Sequence, residues 1–120
     1  MDIQKIKKRR DFLKGNKAPY AAMPSVVVQS YLRTDEVVET DDSIMMGITC
    51  SKKVGNAVIR NRARRRLREA GKIVLKEIGI KKMNYIFIAR KDTTIKVTFT
   101  DLCNDIENGI KKIYGQEDGR

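Results

Sequence analysis

The spacing of apolar residues changes several times along the chain, and each change marks an element. Residues 3–15, IQKIKKRRDFLKG, set Ile3, Ile6, Phe12 and Leu13 among basic residues. Asp2 suits the cap of a helix and Gly15 its end, so this stretch predicts a short first helix. Pro19 and Pro24 then interrupt regular structure. Residues 25–33, SVVVQSYLR, are β-branched and aromatic and predict a strand. The acidic run 34–42, TDEVVETDD, reads as a hairpin connection to a second strand over 43–50, SIMMGITC. Residues 83–90, MNYIFIAR, are almost continuously apolar, the pattern of a central strand. A loop over 91–98 leads to a last helix beginning near Thr100 or Asp101, with Leu102, Ile106, Ile110 and Ile113 as its apolar stripe. Residues 115–120, GQEDGR, read as a disordered tail. No repeat or internal boundary appears. The pattern predicts one basic domain over 1–114, an α+β sandwich in the order α-β-β-(β)-α-β-α, with about four strands and three helices.

The longest helix lies where the charge is densest. SKKVGNAVIRNRARRRLREAGK, residues 51–72, holds nine Lys or Arg and one acid, Glu69. At about 100° per residue, Ile59, Ala63, Leu67, Ala70, Val74 and Ile78 fall within about 100° of one another. Arg60, Asn61, Arg64, Arg65 and Arg68 take the adjoining and opposite faces, and Arg66 lies nearer the packed edge. That segregation predicts a helix packed on a sheet by one face, not a solvated tail. Asn56 is its N-cap candidate and Gly79 its stop. Gly71 within it predicts a local weak point worth about 1 kcal/mol relative to Ala.

Charge and chemistry narrow the function. The 120 residues carry a formal charge of +11 with 41% apolar residues. A chain this size buries enough surface for one core, and so strong a positive balance points to an anionic partner. Cys50 and Cys103 sit in separate apolar runs and read as buried thiols rather than a disulfide. The chain has no histidine and no CxxC pair, which argues against a zinc finger and excludes a two-histidine nuclease or a Ser-His-Asp hydrolase. Asp35, Glu36, Asp41 and Asp42 read as a solvated loop rather than a two-metal site. No apolar run reaches membrane-spanning length, and the charged N-terminus lacks the apolar core of a signal peptide; the chain reads as cytoplasmic, with no membrane partner.

Three readings of the arginine face compete. A solvated face would mix signs, yet only Glu69 is available as a partner. A membrane-surface helix would carry bulkier apolar residues than this Ala, Ile, Leu and Val face. A phosphate-binding face fits best, because the guanidinium presents a rigid fork of donors and stays charged. The helix start at Asn56 adds backbone donors, and Gly55 lets a phosphate approach. A helix crowded with arginines and tied into a sheet suits structured RNA better than base readout in DNA.

These same residues carry a resemblance. SKKVGNAVIRNRARRRLREA is similar to the signature of the bacterial ribonuclease P protein subunit. In that family a Ser-Lys-Lys strand end leads through a glycine turn into an Arg-Asn-Arg helix. Ser51, Lys52, Lys53, Gly55, Asn56, Ala57, Arg60, Asn61, Arg62, Arg65 and Arg68 fit the pattern. RRDF (Arg9–Phe12) and NYIFIAR (Asn84–Arg90) extend the likeness to about residues 5–113. The resemblance implies a non-catalytic protein subunit, one per RNA, of an RNA-based endoribonuclease. Its partners would be the catalytic RNA and precursor tRNA, whose 5′ leader is removed. Hydrolysis would belong to the RNA, with Mg²⁺ bound mainly there, so no catalytic residue is expected in the protein. The implied fold resembles the second domain of a small-subunit ribosomal protein, with a left-handed crossover.

The resemblance also implies two surfaces. Lys52, Lys53, Asn56, Arg60, Asn61, Arg62, Arg65 and Arg68 would meet the catalytic RNA, with Arg64 an added basic position. Lys8, Arg9, Phe12 and Gln29 would line a cleft for the single-stranded leader, Phe12 by stacking on bases or as plain core. Asn16 and Gln29 stand about where many members place further aromatics, and Tyr20 is the candidate replacement. Asn56 and Asn61 are the candidate metal contacts. Two other functions remain open from the residues alone: a structural rRNA-binding or ribosome-assembly protein, and a self-sufficient protein nuclease.

Overall fold

The computed structural model describes residues 3–15, 17–33 and 42–118. In chain order the elements are β1 (Ile3–Lys5), α1 (Arg9–Gly15), β2 (Tyr20–Ala22), β3 (Val26–Leu32), β4 (Ile44–Thr49), a 3-10 turn (Lys52–Val54), α2 (Ala57–Ile78), β5 (Met83–Ala89), α3 (Thr93–Lys96) and α4 (Phe99–Asp118). The described strands form one sheet in the order β1-β4-β5-β3-β2. β4 and β5 are parallel neighbours joined through α2, and β3 pairs antiparallel with β5 along its whole length.

Alternation along the strands divides the sheet into a packed face and an open one. Val26 and Val28 of β3, Tyr85 and Phe87 of β5, and Ile44 and Met46 of β4 are buried on the packed face. Against them lie Ala63, Leu67, Ala70 and Val74 of α2 and Leu102, Ile106, Ile110 and Ile113 of α4, all in one buried cluster. The predicted apolar stripes of both helices are thus the ones that pack. α2 runs through Gly71 unbroken, and Gly71 is buried. A Cβ there would stand 2.6 Å from the Phe87 ring and 2.8 Å from the Met46 sulfur, so the missing side chain is what lets α2 approach the sheet.

Several boundaries differ from expectation. Residues 3–5 are strand, not helix: Ile3 pairs with Ile44 and Lys5 with Met46. The helical spacing there is overridden by edge pairing to β4 and by burial of Ile6 at 2% exposure. Tyr20–Ala22, framed by the two prolines, adds a fifth strand too short to show periodicity. β3 and β4 are no hairpin, because β5 is inserted between them; residues 34–41 of the acidic run lie outside the described residues, as does Asp2. The loop 91–98 contains the helical turn α3. α4 starts at Phe99, with the Thr98 hydroxyl accepting from the Asp101 N–H at 3.1 Å, and it continues past 114 through Asp118 where a tail was expected. Residues 119–120 lie outside the described residues. Both cysteines are free thiols, half-buried rather than fully buried.

Candidate functional site

The sequence around 51–60 builds a turn in which each residue has a mechanical part. The Val54 N–H donates to the Ser51 carbonyl at 3.1 Å, closing the 3-10 turn. Val54 is buried at 6% exposure, which leaves Lys52 and Lys53 pointing to solvent. Gly55 has a positive φ of 156°, and a Cβ there would lie 2.8 Å from Ile59 Cγ2. Only glycine lets the chain reverse that tightly against α2. Asn56 caps the helix as expected: its side-chain oxygen accepts from the Ile59 N–H at 3.0 Å. At the other end the Gly79 N–H donates to the Leu75 carbonyl at 2.9 Å.

Asn61 and the six arginines of α2 fall into three groups. Asn61, Arg62 and Arg65 are exposed. Arg60, Arg64 and Arg68, spaced four apart on one flank, are half-buried. Arg60 and Arg64 lie near Cys50, whose thiol is pushed up by burial and drawn partly back by those two cations. Burial likewise raises Cys103. Arg66 stands apart: its Nε donates to the Thr94 carbonyl at 3.1 Å and its Nη2 to the Val97 carbonyl, closing the C-terminal end of α3. It is a structural clasp, consistent with its place on the packed edge of the wheel. Among the described residues, none of Arg60, Arg62, Arg64, Arg65 and Arg68 has a carboxylate partner.

Asn56 and Asn61 have limited capacity for a metal. The Asn56 oxygen caps the helix, and the Asn61 oxygen accepts from Arg64 Nη1 at 3.2 Å. Two neutral amide oxygens do not satisfy a hard cation that takes six oxygen ligands. No cluster of three His, Cys, Asp or Glu side chains suited to a metal occurs among the described residues.

The open face of the sheet carries the second candidate surface. Gly47, Ile86, Gln29 and Tyr20 form a row across four strands, spanning about 14 Å. Phe12 closes one end of it: a Cβ on Gly47 would be 2.6 Å from Phe12 Cε1, so the ring tip rests on the glycine. The ring is half-buried, so it is neither pure core nor free. Tyr20 closes the other end with 60% of its surface exposed. Gln29 lies half-buried between them, and Lys8 and Arg9 are exposed at the start of α1. Asn16 lies outside the described residues. The adjoining row, Thr49, Ile88, Val27 and Ala22, is half-buried or exposed and borders the strand end that leads into the Lys52–Lys53 turn.

What holds α1 over this floor escaped the sequence reading. The Tyr31 hydroxyl donates to the Asp11 carbonyl at 2.5 Å and accepts from Asn84 Nδ2 at 2.8 Å. Arg33 Nη1 in turn donates to Asn84 Oδ1 at 3.0 Å, and its Nη2 to the Ser43 carbonyl at 2.8 Å. Two signals were present: Tyr31 stands two residues from Gln29 and so shares its face, and an isolated glycine in an apolar strand marks a close approach.

The result is an α+β domain with an uncompensated cationic helix on one side of a sheet and a half-open floor on the other. Residues 2–114 match the ribonuclease P family model. A "Ribonuclease P protein component" of Ruegeria pomeroyi is 41% identical over 93% of this chain and 87% of its own. One from Gluconacetobacter diazotrophicus is 40% identical, covering 90% and 89%. The ribonuclease P protein of Staphylococcus aureus is similar in structure, with a TM-score of 0.70 and 31% identity over 90% of this chain and 93% of that one. The Thermotoga maritima ribonuclease P protein, at 24% identity, shares the fold with a TM-score of 0.70. The chain belongs to the ribonuclease P protein family.

Proposed function

We propose that this chain is the protein component of a bacterial ribonuclease P, binding a catalytic RNA and the 5′ leader of precursor tRNA. The observation that carries the reading is that Arg60, Arg62, Arg64, Arg65 and Arg68 of α2 lack any carboxylate partner among the described residues. Arginines left uncompensated on a rigid helix are a standing field for phosphates. Lys52, Lys53, Arg62 and Arg65 meet the RNA backbone directly, and Arg60, Arg64 and Arg68 extend that contact along the flank. Phosphate crowding between catalytic RNA and substrate is thereby relieved, which lowers the Mg²⁺ needed for activity. Mg²⁺ supplies the charge for phosphodiester hydrolysis and takes its ligands mainly from RNA. Asn56 and Asn61 offer it outer contacts at most.

Phe12, Tyr20 and the floor around Gln29 receive unpaired leader bases, with Lys8 and Arg9 beside the backbone. Aromatic faces stack on bases with little sequence preference, as a leader of variable sequence requires. Mature tRNA offers no leader, so this surface favours precursor over product. The decisive assay is precursor tRNA cleavage at low Mg²⁺ by the cognate catalytic RNA with and without the chain, beside a protein-only lane. Stimulation with no cleavage by the protein alone is expected. Tight RNA binding without stimulation would replace this reading with a structural rRNA-binding one, and cleavage by the protein alone would replace it with a nuclease.

A further inference from the structure

Beyond the two surfaces lies a third concavity, on the packed side of the sheet at its β1 edge. A cavity of about 190 Å³ is lined by Ile3, Lys5, Met46, Ile48, Arg68 and Lys72. Its floor is apolar, from Ile3, Met46 and Ile48. Its rim is three cations, and no lining residue is acidic. The leader floor is on the opposite face, and the Lys52–Lys53 turn is at the far end of α2. The cavity is nonetheless continuous with the arginine flank. Arg60, Arg64, Arg68 and Lys72 repeat every fourth residue and so run in file over about 18 Å. Arg60 and Arg64 lie beside Cys50 at the end of β4, and Arg68 and Lys72 stand over Ile48 and Met46 further back along it.

The lining chemistry selects its occupant. The cavity is smaller than the roughly 300–1,000 Å³ of a drug-sized site, so it admits one planar ring system. Branched aliphatic side chains and a thioether accept the face of an aromatic ring. Three cations around that floor require an anion attached to the ring. We propose that this cavity receives a single unpaired nucleotide of the catalytic RNA, its base on Ile3, Met46 and Ile48 and its phosphate between Arg68, Lys5 and Lys72. The inference rests on the reading of the chain as an RNA-binding subunit. It adds a base pocket at the end of the phosphate-holding file, so that α2 is fixed in register along the RNA rather than merely attracted to it.

The test uses the full-length chain with methyl-labelled Met and Ile. On adding the cognate catalytic RNA, the methyl resonances of Met46, Ile48 and Ile3 are expected to shift and to show intermolecular contacts with base protons. Ile3→Trp fills the cavity from its half-buried wall while keeping every cation. It should weaken affinity for the catalytic RNA about tenfold, the scale of one stacked base, with the salt dependence unchanged. Wild-type affinity in Ile3→Trp, or no contact between these methyls and base protons in wild type bound to RNA, overturns the pocket. The wild-type contacts need no variant, so a failure of Ile3→Trp to fold leaves the test intact. Adenosine monophosphate is titrated in parallel. Saturation by it that the RNA does not compete away would overturn the RNA assignment in favour of a free-nucleotide site. Absence of any affinity of wild type for the catalytic RNA would instead refute the subunit reading itself.

Discussion

Replacing Gly47 by Ala tests whether the position of Phe12 governs leader binding. The added Cβ would stand 2.6 Å from Phe12 Cε1, 2.7 Å from Cζ and 3.1 Å from Ile6 Cδ1. Carbon atoms rest at about 3.5–4.0 Å, so the ring tip must retreat by about 1 Å. The ring is half-buried and has solvent on one side, which gives it somewhere to go. The cost therefore belongs at the lower end of the overpacking range, about 1–2 kcal/mol. For a domain of this size that is a fall in melting temperature of roughly 3–10 °C. The displaced ring no longer meets a base squarely, and partial loss of a stacking contact should reduce the preference for precursor over mature tRNA by about three- to tenfold. Affinity for the catalytic RNA should stay at the wild-type value, since Gly47 is on the sheet face opposite α2. The measurement is paired: thermal unfolding of the free protein, and binding of the reconstituted complex to precursor and mature tRNA. A destabilised variant with undiminished discrimination would show that the Phe12 floor is only core. Loss of affinity for the catalytic RNA alone would show that the two surfaces are not separate.

The two kinds of arginine should separate cleanly. Arg65→Ala should weaken binding to the catalytic RNA and reduce the log–log salt slope by about one, without lowering the melting temperature; an unchanged slope would remove Arg65 from the phosphate contacts. Arg66→Ala should do the reverse: it frees the Thr94 and Val97 carbonyls, costing about 1.5–3 kcal/mol of stability by denaturant titration, while the salt slope stays fixed. Tyr31→Phe should leave Asn84 Nδ2, in a side chain only 1% exposed, without its hydroxyl acceptor, costing about 1–3 kcal/mol and loosening α1, seen as faster hydrogen exchange in residues 9–15. Both thiols are raised by burial, so below the ordinary thiol range they are neutral folded or unfolded and contribute no pH dependence. As pH rises through that range the unfolded thiols ionise first and stability falls; the double Cys50→Ala, Cys103→Ala variant should show a shallower decline in melting temperature at alkaline pH, and an identical decline would refute the assignment.

The parts of this protein carried by short-range periodicity were legible in its residues. The apolar stripes of α2 and α4 repeat within single helices, and burial of those stripes is what makes the helices stable, so wheel and core coincide. The caps at Asn56 and Gly79 and the segregation of arginines from the apolar face are likewise local, and they carried the inference of an anionic partner. The remainder depended on contacts between segments distant in the chain. β1 was hidden because three residues hold no period, and only pairing with β4 makes Ile3–Lys5 a strand rather than helix. The insertion of β5 between β3 and β4 is a choice of neighbour, and alternation along a strand says which residues share a face but not which strand lies beside it. Arg66 and Arg65 are the same residue type one position apart. A rotation of about 100° turns one into a clasp on α3 and leaves the other to solvent. The open floor, with Phe12 resting on Gly47 and α1 held by Tyr31, exists only once the sheet has formed, because its members come from α1, β2, β3, β4 and β5. Sequence alone determined the helix and its charge; packing decided which of those charges stay free to act.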